Sequence, residues 1–202
     1  MAVTTLDTGR LVFSNAKYVN FTPYTNEDEI GAVTYDIASI VGDTLSFTPD
    51  DNTVNAKESE FKDDPLFESV TLGKYQFAAT CIDFQNDIMK EIFGWETDTT
   101  GAYAPVAYAN KYVAIEIGFH DSEAVVVAPK VKLNSKATLA SFKTGTGEGN
   151  LAGTAYSSEV NTKPCPIAFV KVSTDTTYTI KSGTATKTFK PGNDPEDGGV
   201  QA

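Results

Sequence analysis

Tyr112-Val113-Ala114-Ile115-Glu116-Ile117-Gly118-Phe119 is followed, after His120-Asp121-Ser122-Glu123, by Ala124-Val125-Val126-Val127-Ala128. Both runs are β-branched and apolar, and a short polar stretch divides them, so they read as strands rather than as one helix. Working outward, the same reading applies to Leu11–Phe13, Ala32–Ile37, Thr44–Phe47, Glu68–Leu72 and Lys74–Thr80 on the N-terminal side. On the C-terminal side it applies to Val131–Leu133, Ala168–Val172 and Thr177–Ile180. Several of these alternate apolar and polar residues, as half-buried antiparallel strands do. Gly, Pro, Asn and Asp interrupt them at short intervals, which favours a sandwich or barrel over alternating βαβ units. Thr is the commonest residue, and the 9 Tyr and 12 Phe add to a β-forming composition.

One segment has helical spacing. In Asp83-Phe84-Gln85-Asn86-Asp87-Ile88-Met89-Lys90-Glu91-Ile92-Phe93-Gly94, the residues Phe84, Ile88 and Ile92 recur every fourth position, with Met89 and Phe93 beside them. This predicts a helix over about 83–93 whose packing face is Phe84, Ile88, Met89, Ile92 and Phe93. Asp83 serves as N-cap and Gly94 as the left-handed residue after the last turn. Such a stripe packs across an open, curved sheet.

The chain of 202 residues and 21.7 kDa is long enough to bury a core without disulfide or metal staples. It carries 16 basic and 27 acidic side chains, for a net charge of −11 and a pI near 4.5. That balance argues against a protein that grips duplex DNA through its phosphates. A single His argues against a histidine-based catalytic site and against a two-histidine metal site within one chain. The polar opening Met1–Arg10, with no apolar h-region of about 7–15 residues after it, predicts no signal peptide, and no stretch has the roughly 18 apolar residues that span a bilayer. Cys81 and Cys165 show no CxxC spacing and read as two reduced thiols. The charge is divided along the chain. Residues 1–129 hold 7 basic and 21 acidic groups, residues 130–190 hold 9 Lys and 3 acidic groups, and residues 191–202 add three acidic ones. An acidic front and a basic back suit head-to-tail docking of copies.

The stretch Pro49–Pro65 (PDDNTVNAKESEFKDDP) is long, polar and mostly acidic between two strand signals, and reads as a loop. Loops of that length inside compact domains are often functional. Its Asp50, Asp51, Lys57, Glu58, Glu60, Phe61, Lys62, Asp63 and Asp64 form a candidate inter-subunit surface with Phe61 as anchor. The remaining chemistry is thin. Thr144–Asn150 is Gly-rich but lacks the Lys-Ser/Thr of a P-loop and precedes a strand-like Leu151–Tyr156, so it reads as a hairpin connection. His120 beside Asp121 and Glu123 has no nucleophile motif. The aspartates of the acidic loop lack EF-hand spacing, and no pair of carboxylates is singled out for glycosidase chemistry. No cofactor, metal or catalytic residue is expected, and the chain does not read as an enzyme.

In their order and spacing these features resemble the major tail tube protein of long-tailed, siphovirus-like bacteriophages. The elements that carry the resemblance are Ala32–Ile37 and Thr44–Phe47 before the acidic loop 49–65, the strands within 69–80, and the helix closing in Gly94-Trp95-Glu96-Thr97-Asp98. Tyr112–Phe119 and Val125–Leu133 then look like that family's central sheet, and Gly149–Tyr156 and Ala168–Val172 like its late β segment. The resemblance spans about residues 30–175. It implies a mainly β fold: a two-sheet antiparallel sandwich or partial barrel with one flanking helix, in a single domain over 1–190, followed by a flexible acidic tail at 191–202. It also implies rings of six that stack into a tube, a loop 49–65 reaching a neighbouring subunit or ring, and an N-terminal arm. Other tail proteins, such as the tape measure and the terminator, would be partners. DNA would pass through the lumen without specific binding, and the location would be the virion tail, assembled in the bacterial cytoplasm away from membranes. A competing class, a β-sandwich carbohydrate-binding or adhesin module, requires aromatics such as Trp95, Tyr103 or Tyr108 to line up on one exposed face.

Overall fold

The computed structural model describes residues 16–37, 40–41, 43–59, 62–71, 74–82, 86–97, 103–105, 111–120, 124–134, 136–138, 148–172 and 176–191. In chain order the elements are β1 (Ala16–Asn26), β2 (Glu29–Ile30), β3 (Tyr35–Asp36), β4 (Ser46–Pro49), β5 (Thr53–Ser59), β6 (Lys62–Thr71), β7 (Tyr75–Cys81), α1 (Asn86–Glu91), β8 (Trp95–Thr97) and β9 (Tyr103–Pro105). They continue as β10 (Lys111–Phe119), β11 (Ala124–Leu133), β12 (Lys136–Thr138), β13 (Glu148–Tyr156), β14 (Ser158–Val160), β15 (Lys163–Cys165), β16 (Ala168–Lys171), β17 (Tyr178–Ser182) and β18 (Ala185–Phe189). The large sheet has the order β2-β1-β10-β11-β13-β7-β4, with β3 joined to β1, β12 to β13 and β16 to β11. A second sheet has the order β15-β14-β17-β18, and β8 pairs with β9. Every ladder in the two main sheets is antiparallel.

Alternation along β10 explains the layering. Val113, Ile115 and Ile117 enter one core with Val19, Phe21, Phe77, Leu151 and the helix residues Ile88 and Ile92. Ala114 enters a second core with Val125, Val127, Val160, Tyr178 and Ile180, between the large and small sheets. Both faces of β10 are therefore buried, and the fold is a β-sandwich with a helix on the outer face of the larger sheet. Within β11 the ladder steps from Val113↔Val131 to Ile115↔Ala128, so Pro129 and Lys130 together oppose Ala114. That bulge resets the parity of the strand. Val126 and Ala128 before it, and Val131 and Leu133 after it, all reach the first core. Proline is tolerated there because a bulged residue need not donate to the ladder.

The helix is shorter than its stripe. It covers Asn86–Glu91, while Asp83 and Phe84 lie outside the described residues. Ile88, Met89, Ile92 and Phe93 are buried. The amides of Ile92 and Phe93 both reach the Ile88 carbonyl, at 2.9 and 3.1 Å, and Gly94 follows with φ +67°. Lys111 on β10 caps the last turn through its ammonium to the Lys90 carbonyl at 2.9 Å. The Phe93 ring lies against Gly149, where a Cβ would stand 2.3 Å from Cζ.

The expected loop over 49–65 is a correction. Pro49 pairs with Tyr75, the Asp50 amide donates to the Lys74 carbonyl at 2.7 Å, and pairing resumes at Thr53↔Thr71. It runs on through Val54↔Val70 and Ala56↔Glu68 to Ser59↔Lys62. The segment is thus a β-hairpin that prolongs the outermost ladder of the large sheet. Backbone hydrogen bonds build such a ladder whatever the side chains, so a polar strand shows no apolar alternation. Ala32–Ile37 contracts to the two-residue β3, and the long β1 was not anticipated. Leu11–Phe13 and most of the tail 191–202 lie outside the described residues.

Candidate functional site: an acidic hairpin and a lysine–tyrosine surface

The hairpin distributes the candidate inter-subunit residues along its length. Asp50 and Asp51 sit exposed at its root, where the Gln76 side chain donates to Asp50 Oδ2 at 2.7 Å. Lys57 and Glu58 are positions of β5, and Lys62, Asp63 and Asp64 are positions of β6. Glu60 and Phe61, between the two strands, lie outside the described residues. The register Glu58↔Pro65 and Ser59↔Lys62 brings Glu58, Asp63 and Asp64 to the distal end. Residues 49–65 hold six acidic and two basic side chains, net −4. Six strand steps separate Thr53 from Ser59, so the ladder is about 20 Å long at roughly 3.3 Å per residue. Among the described residues β5 and β6 pair only with each other.

Register also assembles a surface that no linear motif announces. Across the large sheet Gln76 pairs with Thr154, Thr154 with Lys132 and Lys132 with Tyr112. One row further out Lys130 pairs with Tyr156. Tyr24 of β1 completes the group. Its ring lies 6.5 Å from that of Tyr112, which lies 6.4 Å from that of Tyr156. Lysine ammoniums sit over these rings: Lys130 at 4.8 Å from the Tyr112 centroid and 5.9 Å from Tyr24, Lys132 at 5.9 Å from Tyr112, and Lys74 at 5.2 Å from Tyr156. Such contacts are worth about 0.5–1 kcal/mol each at exposed sites.

Carboxylates meet part of this surface. Lys130 lies 3.8 Å from Asp28, and the Tyr112 hydroxyl donates to Glu27 at 3.1 Å. Burial, followed by that bond to Glu27, raises the Tyr112 hydroxyl above its ordinary pKa. Tyr24 donates to the Pro129 carbonyl at 2.7 Å and so pins the β11 bulge beneath the cluster. Among the described residues Lys74 and Lys132 meet rings but no carboxylate.

The other titratable groups hold the fold. Glu116, inside an apolar run, is buried between the sheets and accepts the Tyr18 hydroxyl at 2.7 Å on Oε1 and the Tyr178 hydroxyl on Oε2. Burial, then the Glu116 carboxylate, pushes Tyr178 well above the usual tyrosine range. This inter-sheet bond was missed, because one Glu in an apolar strand carries no signal of its partners. His120 is an exposed turn residue, and the described residues contain no group of three or more His, Cys, Asp or Glu placed to hold a metal. Both thiols are reduced, Cys81 in the first core and Cys165 packed against the second. Trp95 packs against the first core, while the side chains of Tyr103 and Tyr108 lie outside the described set. No helix among the described residues is long and apolar enough to cross a membrane.

The chain matches no protein-family model and no curated protein. Among solved structures it is similar to a chain in the cryo-EM structure of the anti-feeding prophage baseplate, 6-fold symmetrised. The match has 10% identity and a TM-score of 0.39, and covers 85% of this chain and 98% of that one, a score too low to carry an inference about fold or role.

Proposed function

We propose that this chain is a non-enzymatic structural subunit of a phage tail tube, forming rings of six that stack around a channel for DNA. The resemblance in element order raises the reading, and the hairpin prolonging the β4–β7 ladder is the observation that supports it most. A two-stranded ladder without a third strand or a packed face is marginal in water. A hairpin about 20 Å long whose strands pair only with each other among the described residues is explicable as an arm that a neighbouring copy covers.

In this reading the partners are further copies of the chain and other tail proteins, such as the tape measure and the terminator, and its place is the virion tail. DNA passes without specific binding. The exposed positions Ser46, Thr48, Ala78, Asn150 and Ala152 of β4, β7 and β13 are uncharged. A carbohydrate-binding module is supported less well. The rings of Tyr24, Tyr112 and Tyr156 are tilted by 59° and 69° and do not make one flat platform. Electron microscopy of the concentrated protein tests the proposal. Rings or tubes with a channel are expected, and a chain that stays monomeric and binds glycans overturns it.

A further inference from the structure

We propose that the lysine–tyrosine surface is the seat for the acidic hairpin tip of a second copy of this chain. The inference rests on the reading of the hairpin as an inter-subunit arm and names the surface that receives it.

Reach decides between a contact within one chain and a contact between two. The Asp50 amide bonds the Lys74 carbonyl at 2.7 Å, so the root of the hairpin stands at the edge of the surface itself. A ladder about 20 Å long then holds its tip about that far from its own root. A chain's own tip is out of range, whereas a neighbour's is free to arrive.

Charge decides which end of the arm docks. Lys74 is exposed and Lys132 half-exposed, each steadied over a tyrosine face, and neither meets a carboxylate among the described residues. Residues 57–64 hold Glu58, Glu60, Asp63 and Asp64 against Lys57 and Lys62. Attraction between ordered lysines and an acidic tip speeds encounter and fixes register. Ordering the lysines beforehand over the rings reduces the entropy lost when the tip binds.

Symmetry decides the arrangement. Root and seat lie at the same end of the large sheet. The tip stands about 20 Å beyond that end, so the copy whose seat receives it is displaced by about that distance along the strand direction. A contact between different patches of identical chains is heterologous, and closes into a ring when the rotation permits.

The test is a charge exchange on the full-length chain, followed by sedimentation velocity over a concentration series. One variant carries Lys74→Glu and Lys132→Glu. The other carries Glu58→Lys, Glu60→Lys, Asp63→Lys and Asp64→Lys. Each alone sets like charges against each other, and its assembly midpoint is expected to rise by about 10-fold or more over the unaltered chain. Mixed in equal amounts they restore complementarity at every contact, and co-assembly near the unaltered midpoint is expected. Recovery in the mixture cannot come from unfolded chains, so it separates docking from damage. Variants that assemble singly like the unaltered chain overturn the inference, and so does a mixture that fails to recover. An unaltered chain that forms rings while the variants do so equally removes this seat and leaves the tail reading standing. An unaltered chain that never assembles removes both. Binding of a duplex DNA probe, followed by fluorescence anisotropy, is the control for the other anion. Loss of DNA binding in the Lys74→Glu, Lys132→Glu variant with assembly intact assigns the lysines to phosphate and overturns the proposal.

Discussion

Replacing Tyr178 by Phe removes one hydroxyl from the interface between the sheets and little else. The side chain is 1% exposed, its ring stacks on Phe189 with centroids 5.2 Å apart, and Phe preserves both features. What is lost is the donor to Glu116 Oε2, which leaves a carboxylate that is 7% exposed with the Tyr18 hydroxyl on its other oxygen. A hydrogen bond to a charged group contributes about 1.5–3 kcal/mol. For a chain of this size each kcal/mol corresponds to roughly 2–4 °C in Tm. Urea unfolding at neutral pH is expected to show a loss in that energy range. The pH dependence identifies the hydroxyl as the cause. Burial and Glu116 raise the folded-state pKa of Tyr178 well above 10.0. Below pH 10 the tyrosine is protonated in both states and its contribution is complete. Above pH 10 the unfolded chain releases the proton first, so the unaltered protein loses about 1.4 kcal/mol per pH unit until the folded-state pKa is reached. Tyr178→Phe lacks that loss. Tyr35 and Tyr112, also raised, are common to both chains and cancel. The stability gap between the two proteins should therefore narrow between pH 10 and pH 11. A gap that stays constant from pH 7 to pH 11, or a variant as stable as its parent at neutral pH, refutes the reasoning.

Gly149→Ala places a Cβ 2.3 Å from Phe93 Cζ and 3.0 Å from Cys81 Sγ, and the overpacking is expected to cost about 1–3 kcal/mol in urea unfolding. Ile92→Ala removes a side chain that is 1% exposed from the contact between helix and sheet, with an expected loss of about 2–5 kcal/mol in the same assay. Excising residues 52–72 and joining Asp51 to Gly73 through a short turn should leave the far-UV signature and the Tm of the sandwich nearly unchanged. Rings or tubes seen by electron microscopy should disappear, and their persistence would show that the hairpin is not the arm.

What was legible in the sequence is what burial writes into it. β10, β11, β7 and β17 face cores, and their apolar residues announced them. β1 carries Asn20 and Thr22 inward with Phe21 and includes Pro23, so its burial does not read as an apolar run. The Thr22 hydroxyl is satisfied by that of Thr34 at 2.8 Å, a partner twelve residues away. β5, most of β6, β14 and β15 are largely polar in sequence and leave no periodic apolar signal. The acidic character of 49–65 was legible, but its ladder was not. The lysine–tyrosine surface was invisible for a different reason. Tyr24, Lys74, Tyr112, Lys132 and Tyr156 come from five places in the chain, and only the register of β1, β10, β11, β13 and β7 makes them neighbours.

That register also changes what the division of charge means. Along the sequence, acidic groups dominate residues 1–129 and lysines dominate 130–190, which suggests a molecule with an acidic end and a basic end. The sheet order undoes much of that separation, because β11, where the basic segment begins, lies beside β10, which in turn lies beside β1. Lys130 meets Asp28 across the two parts of the chain, while Lys181 meets Glu159 within the basic part. Lys111, from the acidic part, meets Glu91. These are surface pairs of modest energy, and the Lys130–Asp28 pair neutralises charge that the count by segments leaves available. The proposed docking between copies then depends less on a molecular dipole than on the groups that folding leaves unmatched. On the described surface these include Lys74 and Lys132, one from each part of the chain, and the acidic excess to meet them is concentrated in the hairpin that begins beside Lys74. In the proposed assembly that pair of local patches, rather than a dipole along the chain, sets which surfaces of two copies meet.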